Sequence, residues 1–295
     1  METLAEIMQR YVECRGLSSL EGITKTPIPG VWFYRSSRGN SRQPFVYQSG
    51  IIVLGQGCKN IHIGDTPVCY GPNDYLVVGV PMPLECEAFA SEQQPLLGIS
   101  VDIPLPLLQK MVHKLEGLNY RTGVPVSQEA CGLKSVKMDD RMLDVCKRLM
   151  RALCDDVESE MLGESLLEEI VFRALLSQEG YVLFELAQKE GFYSKIARVL
   201  EKVHQDYPNA MTVQGLAAEA NMSVSAFHNA FRSVTLESPI QYIKKVRLNK
   251  ARELIKLEGR RVNDAARMVG YTSTSQFSRE YKRHFNETPS GSVAA

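Results

Sequence analysis

The chain has 295 residues, of which 44% are hydrophobic and 23% charged, the proportions of a soluble globular protein, and its 34 Lys and Arg balance 34 Asp and Glu. The neutral total hides an asymmetry: residues 1–191 carry 18 basic and 25 acidic side chains, a balance of −7, whereas residues 192–295 carry 16 and 9, a balance of +7. Such a length suits two domains, and a basic second half fits a polyanionic partner, but the acidic first half excludes an architectural nucleic-acid coat with positive charge throughout.

The N-terminal METLAEIMQRYVEC has no basic flank leading into an apolar core, so it is not expected to be a signal peptide. Apolar runs such as Tyr75 to Leu84 are too short and proline-broken to cross a bilayer, so no membrane partner is expected and the protein is placed in the cytoplasm. Cys14, Cys58, Cys69, Cys86, Cys131, Cys146 and Cys154 form an odd set without a C-x-x-C pair. Neither a disulfide framework nor a zinc site follows, and most are expected to be buried thiols.

Leu4, Ile7, Met8, Tyr11 and Val12 give a short first helix. Strand-like runs follow at 31–35, 45–47, 51–54, 60–63, 67–70, 75–80, 84–89 and 96–101, punctuated by Gly, Pro, Asn and Asp. Many short strands with turn residues between them predict a closed or nearly closed β-barrel. A catalytic metal needs about three protein ligands. Only His62 lies in these strands, His113 falls on a later helix, and no nucleophilic triad, phosphate loop or paired-carboxylate motif occurs. The barrel therefore reads as a binding site with no catalytic residue, metal or cofactor. Alternation places Leu84, Cys86 and Ala88 on one face of their strand; Trp32 and Tyr34 share a face, as do Tyr75 and Val77. Trp32, Tyr34, Tyr75, Val77, Cys86 and Ala88 are thus candidates to line a pocket for a small, partly apolar effector, although any one of them taken alone reads first as core filling. Nothing basic adjoins Cys86 in sequence to activate its thiol.

Helices are expected at 104–115, at 139 to about 155 and at 163 to about 177, each with apolar residues at helical spacing. The stretch 178–191 should end the first domain, and a helix at 194–207 should open the second. The second half is organised around a helix at 238–258, with Ser238 as N-cap and Pro239 at its first position. Its apolar positions cover more than half the circumference, leaving Tyr242, Lys245, Asn249, Arg252, Glu253 and Lys256 as a polar back, so it should pack on two sides.

Two copies of one unit flank this helix. Residues 212–234 and 261–285 each read as short helix, tight turn and second helix, and Phe227 and Phe231 match Phe277 and Tyr281 at an offset of 50. Asn221 and Gly270 fall where the turns need positive φ, and Ser223 and Ser273 cap the second helices. This is the helix-turn-helix pattern. On the first reading helix Val224, Phe227, Ala230, Phe231 and Val234 should point inward, and Ser225, His228, Asn229 and Arg232 outward. On the second, Phe277, Tyr281 and Phe285 should point inward, and Ser275, Gln276, Arg279, Lys282 and Arg283 outward. Asn and Gln suit adenine, Arg suits guanine, and the later cations suit phosphates.

The segments LAAEANMSVSAFHNAFRSV, SPIQYIKKVRLNKAREL and VNDAARMVGYTSTSQFSREYKRHFNETPS strongly resemble the DNA-binding domain of the AraC/XylS family of bacterial transcription regulators. The resemblance covers about a third of the chain and departs at Asn221, where the family usually has Gly. More loosely, IIVLGQGCKNIHIGDTPVCYGPNDYLVVGVPMPLECEAFAS is similar to the cupin-like sensory domain of one branch. The resemblance implies an α+β chain: a cupin-like effector-sensing and dimerising barrel with accessory helices at 1–190, and two helix-turn-helix units joined by a long helix at 191–295. It also implies double-stranded operator DNA, RNA polymerase, a small-molecule effector and a second copy as partners, and activation rather than repression. The rival readings are a metal-independent cupin-type enzyme fused to a DNA-binding module, against which the missing ligand cluster speaks, and an architectural DNA-binding protein, which the balance of −7 in the first half contradicts.

Overall fold

Thr3 starts the fold with a capping box. Its hydroxyl accepts from the Glu6 backbone N–H, and the Glu6 carboxylate accepts from the Thr3 N–H. Helix α1 (Leu4–Cys14) then presents Leu4, Ile7, Met8, Tyr11 and Val12 on one buried face. The computed structural model describes residues 2–63, 66–120, 132–188 and 191–291.

Among the described residues ten antiparallel strands follow in two sheets. In the first, β1 (Gly22–Lys25), β2 (Val31–Ser36), β9 (Leu96–Val101), β4 (Gly50–Gln56), β7 (Asp74–Val78) and β10 (Leu133–Lys137) lie side by side in that order. In the second the order is β3 (Asn40–Tyr47), β8 (Met82–Phe89), β5 (Cys58–Ile63) and β6 (Thr66–Tyr70). The period of two divides the first sheet between two cores. Phe33, Ile51, Val53, Tyr75, Val77, Ile99 and Val101 pack against helices; Leu54, Leu76, Val78 and Leu96 pack against Ile61, Tyr70, Leu84, Cys86 and Ala88 of the second sheet. The barrel thus takes the form of two facing sheets that no strand ladder joins among the described residues.

The helices that cover the outer face are α1, α2 (Leu105–Gly117), α3 (Asp140–Ala152), α4 (Asp156–Leu175) and α5 (Tyr181–Ala187). Helix α4 starts seven residues before the expected 163, capped by Asp155, whose carboxylate accepts from the Glu158 N–H. Its extra turns expose Val157, Met161 and Leu162 and so lack the inward apolar stripe that marks a helix in sequence. Helix α5 lies inside the stretch expected to end the domain. The cysteines also differ from expectation: only Cys86 and Cys146 are buried, Cys14 and Cys69 are exposed, and Cys131 lies outside the described residues. Cys14 sits on the last turn of α1, and Cys69 pairs with Asn60, one residue out of phase with inward-facing Ile61.

The C-terminal half is helical: α6 (Phe192–Asp206), α7 (Val213–Glu219), α8 (Val224–Thr235), α9 (Pro239–Lys256), α10 (Val262–Met268) and α11 (Thr274–Phe285). It is joined to the sheets by packing as well as by chain. The cluster between the sheets continues through Val80, Met82 and Tyr193 to Phe227, Phe231 and Tyr242. Backbone bonds run from Gly79 N–H to Gly132 O at 2.7 Å and from Gly132 N–H to Val234 O at 2.9 Å. Both glycines are needed there for close approach: a Cβ on Gly79 would lie 2.2 Å from the Tyr193 hydroxyl, and one on Gly132 2.8 Å from Val80.

Tyr242 overturns its expected place on the polar back of α9. It is fully buried, edge-on to Phe231 at 5.5 Å, and its hydroxyl donates to Pro81 O and lies 2.9 Å from His204 Nε2. Asn249, assigned to the same back, is 9% exposed and donates to Lys245 O one turn earlier. The helix is covered on a third side by the sheet domain, which helical periodicity does not reveal. Ile240, counted as apolar and inward, is 53% exposed. Ser238 holds the N-cap position without a side-chain capping bond.

Burial, with Lys250 beside it, lowers His204 to about 4, and burial with Lys245 nearby does the same for His284. Both imidazoles are neutral in the folded state, whereas they take up protons below about 6.5 when unfolded. The folded state then binds fewer protons, so their contribution is complete above pH 6.5 and is lost as pH falls toward 4. The melting temperature should therefore drop between pH 7 and pH 5, and His204→Gln should flatten that drop in a thermal melt series.

Candidate nucleic-acid interface

The two helix-turn-helix units repeat in geometry as well as in sequence. In the first, Asn221 turns the chain with φ 52° and the Ser223 hydroxyl accepts from the Ala226 N–H at 3.3 Å, starting α8. In the second, Gly270 has φ 86° and the Ser273 hydroxyl accepts from the Gln276 N–H at 3.2 Å, starting α11. A Cβ on Gly270 would meet Pro208 O at 2.2 Å, so this turn requires glycine; Asn serves at the other. The rings of Phe227 and Phe231 stand 5.5 Å apart at 56°, and those of Phe277 and Tyr281 are again 5.5 Å apart at 56°.

Helix α9 divides its packing between the units. Tyr242, Ile243 and Val246 belong to the cluster shared with α8 and the sheets, and Leu248, Ala251, Leu254 and Ile255 to a separate cluster with Ala265, Ala266, Phe277 and Tyr281. Polar contacts fix the second unit further. Glu280, on α11, accepts from Tyr271 at 2.8 Å, Lys244 at 3.1 Å and Gln276 at 3.2 Å. Burial alone would raise its pKa, but these donors outweigh burial and hold it below the usual value. Arg252 lies over the Phe285 ring at 4.7 Å. Arg247 donates to Tyr207 O and Asn209 O, each at 2.7 Å, fastening α9 to the end of α6.

The expected readers lie along the two second helices. Ser225, Asn229 and Arg232 are exposed and His228 is half-buried; Ser275, Gln276, Arg279, Lys282 and Arg283 are exposed. Arg232, Arg279, Lys282 and Arg283 have no ion-pair partner among the described residues, whereas Lys244, Lys245, Lys250, Arg252 and Lys256 of the central helix are paired. Positive charge is thus left free on the reading helices and neutralised beneath them. Val224 differs from expectation. It stands at the first position of α8, 41% exposed, in the place that exposed Thr274 holds on α11. At a helix's first residue no preceding turn covers the side chain, so the periodic projection that turned it inward fails. Both side chains carry methyl groups of the kind that contact thymine.

The six candidate pocket residues do not share one space. Tyr34, Cys86 and Ala88 belong between the sheets, whereas Tyr75 and Val77 face the helices on the opposite side of the first sheet. Alternation groups residues by face, but it does not say which face meets the second sheet; Leu76 and Val78 do so. The Trp32 indole N–H donates to Asp102 at 3.1 Å, at the margin of the sheet. Burial raises the Cys86 thiol even though Lys59, brought near by the fold, opposes this. A separate cleft of about 700 Å³ between the two halves is lined by Gln48, Pro81, Arg198, His204 and Lys250 among others, and by none of the six. Among the described residues no group of three or more His, Cys, Asp or Glu could hold a metal, and no helix is long and apolar enough to cross a membrane.

Family comparisons agree with both halves. The model for the AraC-type transcriptional regulator N-terminus matches residues 27–182, more than half of the chain, and a helix-turn-helix domain model matches 216–292. The regulator AlkR of Acinetobacter baylyi and the RCS-specific activator RclR of Escherichia coli K12 are each 32% identical over 97 residues, 33% of this chain. The match spans only about a third of their lengths, 32% and 34%. ToxT from Vibrio cholerae shares the fold at 12% identity, with a TM-score of 0.57 over 90% of this chain and 97% of its own. A second ToxT structure, bound to an unsaturated fatty acid, gives 0.55 at 12% identity over 89% and 94%. The regulators matched in sequence are transcription factors, not enzymes. The chain belongs to the AraC family of transcriptional regulators.

Proposed function

We propose that this protein is a sequence-specific DNA-binding transcription regulator, an effector-responsive activator that reads two adjacent major-groove segments. The observation that carries the reading is the pair of geometrically repeated helix-turn-helix units on one central helix, with unlike side chains exposed on their reading helices. In this reading Ser225, His228, Asn229 and Arg232 meet one box, and Ser275, Gln276, Arg279, Lys282 and Arg283 the other, with Val224 and Thr274 adding methyl contacts. Two boxes about one helical turn apart, roughly 10 base pairs, suit two readers held by a common helix. Residues 191–295 form the DNA-binding part and residues 1–190 the sensing and dimerising part, and RNA polymerase is the protein partner at the promoter. The names of RclR and RhaS as activators support activation, and the fatty-acid-bound ToxT supports a small-molecule effector. The apolar side chains that α4 leaves in solvent, Val157 at 71% and Met161 at 73%, support a face for a second copy. The site of action is the cytoplasm.

Arg279→Ala is expected to weaken operator binding by about 1–3 kcal/mol and to relax preference at one or two base pairs. Lys282→Ala should weaken binding to all sequences and flatten its salt dependence. Titrations of operator and random DNA across a salt series separate the two outcomes, and unchanged affinities for Arg279→Ala would remove this face from the interface. The double change Val157→Asp and Met161→Asp should shift the protein toward monomer in sedimentation without lowering its melting temperature, because both side chains are exposed; an unchanged dimer would place the contact elsewhere.

A further inference from the structure

A lysine is enclosed between the two sheets. Lys59 on β5 is only 6% exposed, and it points to the same side as Ile61, into the inter-sheet space. Its cross-strand neighbours are Tyr70 on β6 and Ala88 on β8. The ammonium sits 4.1 Å from the centre of the Tyr34 ring and 5.5 Å from that of Phe45. No carboxylate pairs with it among the described residues. Around it the Tyr47 and Tyr70 hydroxyls are buried near each other and near the Cys86 thiol, and neither makes a well-formed hydrogen bond. Burial depresses the lysine's own affinity for its proton.

An enclosed cation held by ring faces alone, beside two hydroxyls without good partners, is a costly arrangement for a core. An anion would satisfy all of it: the ammonium supplies charge and donors, and the hydroxyls supply further donors. The rest of the wall is apolar, with Ile61, Leu84, Ala88 and Leu96. Tyr34 and Phe45 stand on β2 and β3, strands that are not bonded to one another. There Phe45 is 42% exposed and covers the lysine.

We propose that the inter-sheet space binds a small organic monoanion, a carboxylate on a short apolar body, and that Lys59 receives its charge. The inference rests on the reading of this domain as effector-sensing and names the chemical class of the effector.

Full-length protein titrated with benzoate and hexanoate, and with benzamide and hexanamide as neutral counterparts, tests it by calorimetry and thermal shift. At least one acid should bind, and its amide should bind roughly ten-fold or more weakly, as expected from losing one charge-assisted hydrogen bond. Lys59→Met should reduce binding of the acid by at least that factor while leaving the unliganded melting temperature equal or higher, because a methionine replaces an unpaired enclosed charge. Failure of both acids to bind the wild type, equal binding of acid and amide, or undiminished binding by Lys59→Met would each overturn the proposal. A Lys59→Met protein that melts well below the wild type would also overturn it, by making the lysine structural. If a metabolite screen instead yields a neutral ligand that Lys59→Met still binds, the sensing reading stands and only the anion inference falls. If no small molecule binds at all, both fall.

Discussion

The burial of helix α9 on three sides is the constraint on which the rest depends. A helix with one apolar stripe can belong to only one neighbour, and α9 serves three. Its first half closes the core under α8, its second half closes the core under α11, and Tyr242 presses against the sheet domain at Pro81. Each contact fixes the helix as a rigid bar, and the two reading helices take their places from that bar. The polar groups near it follow the same logic. Glu280 collects three donors from three positions, so the reading helix is tied to α9 and to the turn before it. Arg247 spends its guanidinium on two carbonyls at the end of α6.

Charge is arranged in the same layered way. All the cations of α9 except Arg247, which bonds two backbone carbonyls, pair with Glu237, Glu253, Glu280 or Glu287, whereas those of the reading helices have no ion-pair partner among the described residues. Exposed ion pairs contribute little to stability. Their effect here is to confine the free positive potential to the faces where a polyanion would lie.

Much of this was legible in the chain. Strands β2 and β4 to β9 match expected runs to within two residues at each end, because alternation and turn residues bound them clearly, whereas β3 begins five residues before the expected 45–47. Strands β1 and β10 did not stand out. GITK and LKSVK are short and partly exposed, and they exist because β2 and β7 offer them an edge. The internal repeat was fully legible, since the aromatic pairs and the caps recur at an offset of 50 and the positive-φ residues at 49, the second turn being one residue longer. The burial of Tyr242 was not, because that side chain meets Pro81 of the sheet domain as well as His204 and Phe231. The division of Tyr75 and Val77 from Cys86 and Ala88 was hidden for a related reason: a strand's pattern shows that it has two faces without saying what each face meets. The enclosure of Lys59 is not legible in the chain, because a lysine in a strand reads as solvated unless the fold encloses it.

The division of α9 between two clusters also sets how the molecule loosens. The core beneath the first reading unit is continuous with that of the sheets, so opening that unit means disturbing the sensor as well. The core beneath the second is small and its own. Regions of a protein open in cooperative blocks whose cost follows the apolar surface each one buries. The second unit is therefore the cheaper block, able to fray and close again while the first remains locked to the sheets, and amide protons on α10 and α11 exchange ahead of those on α8.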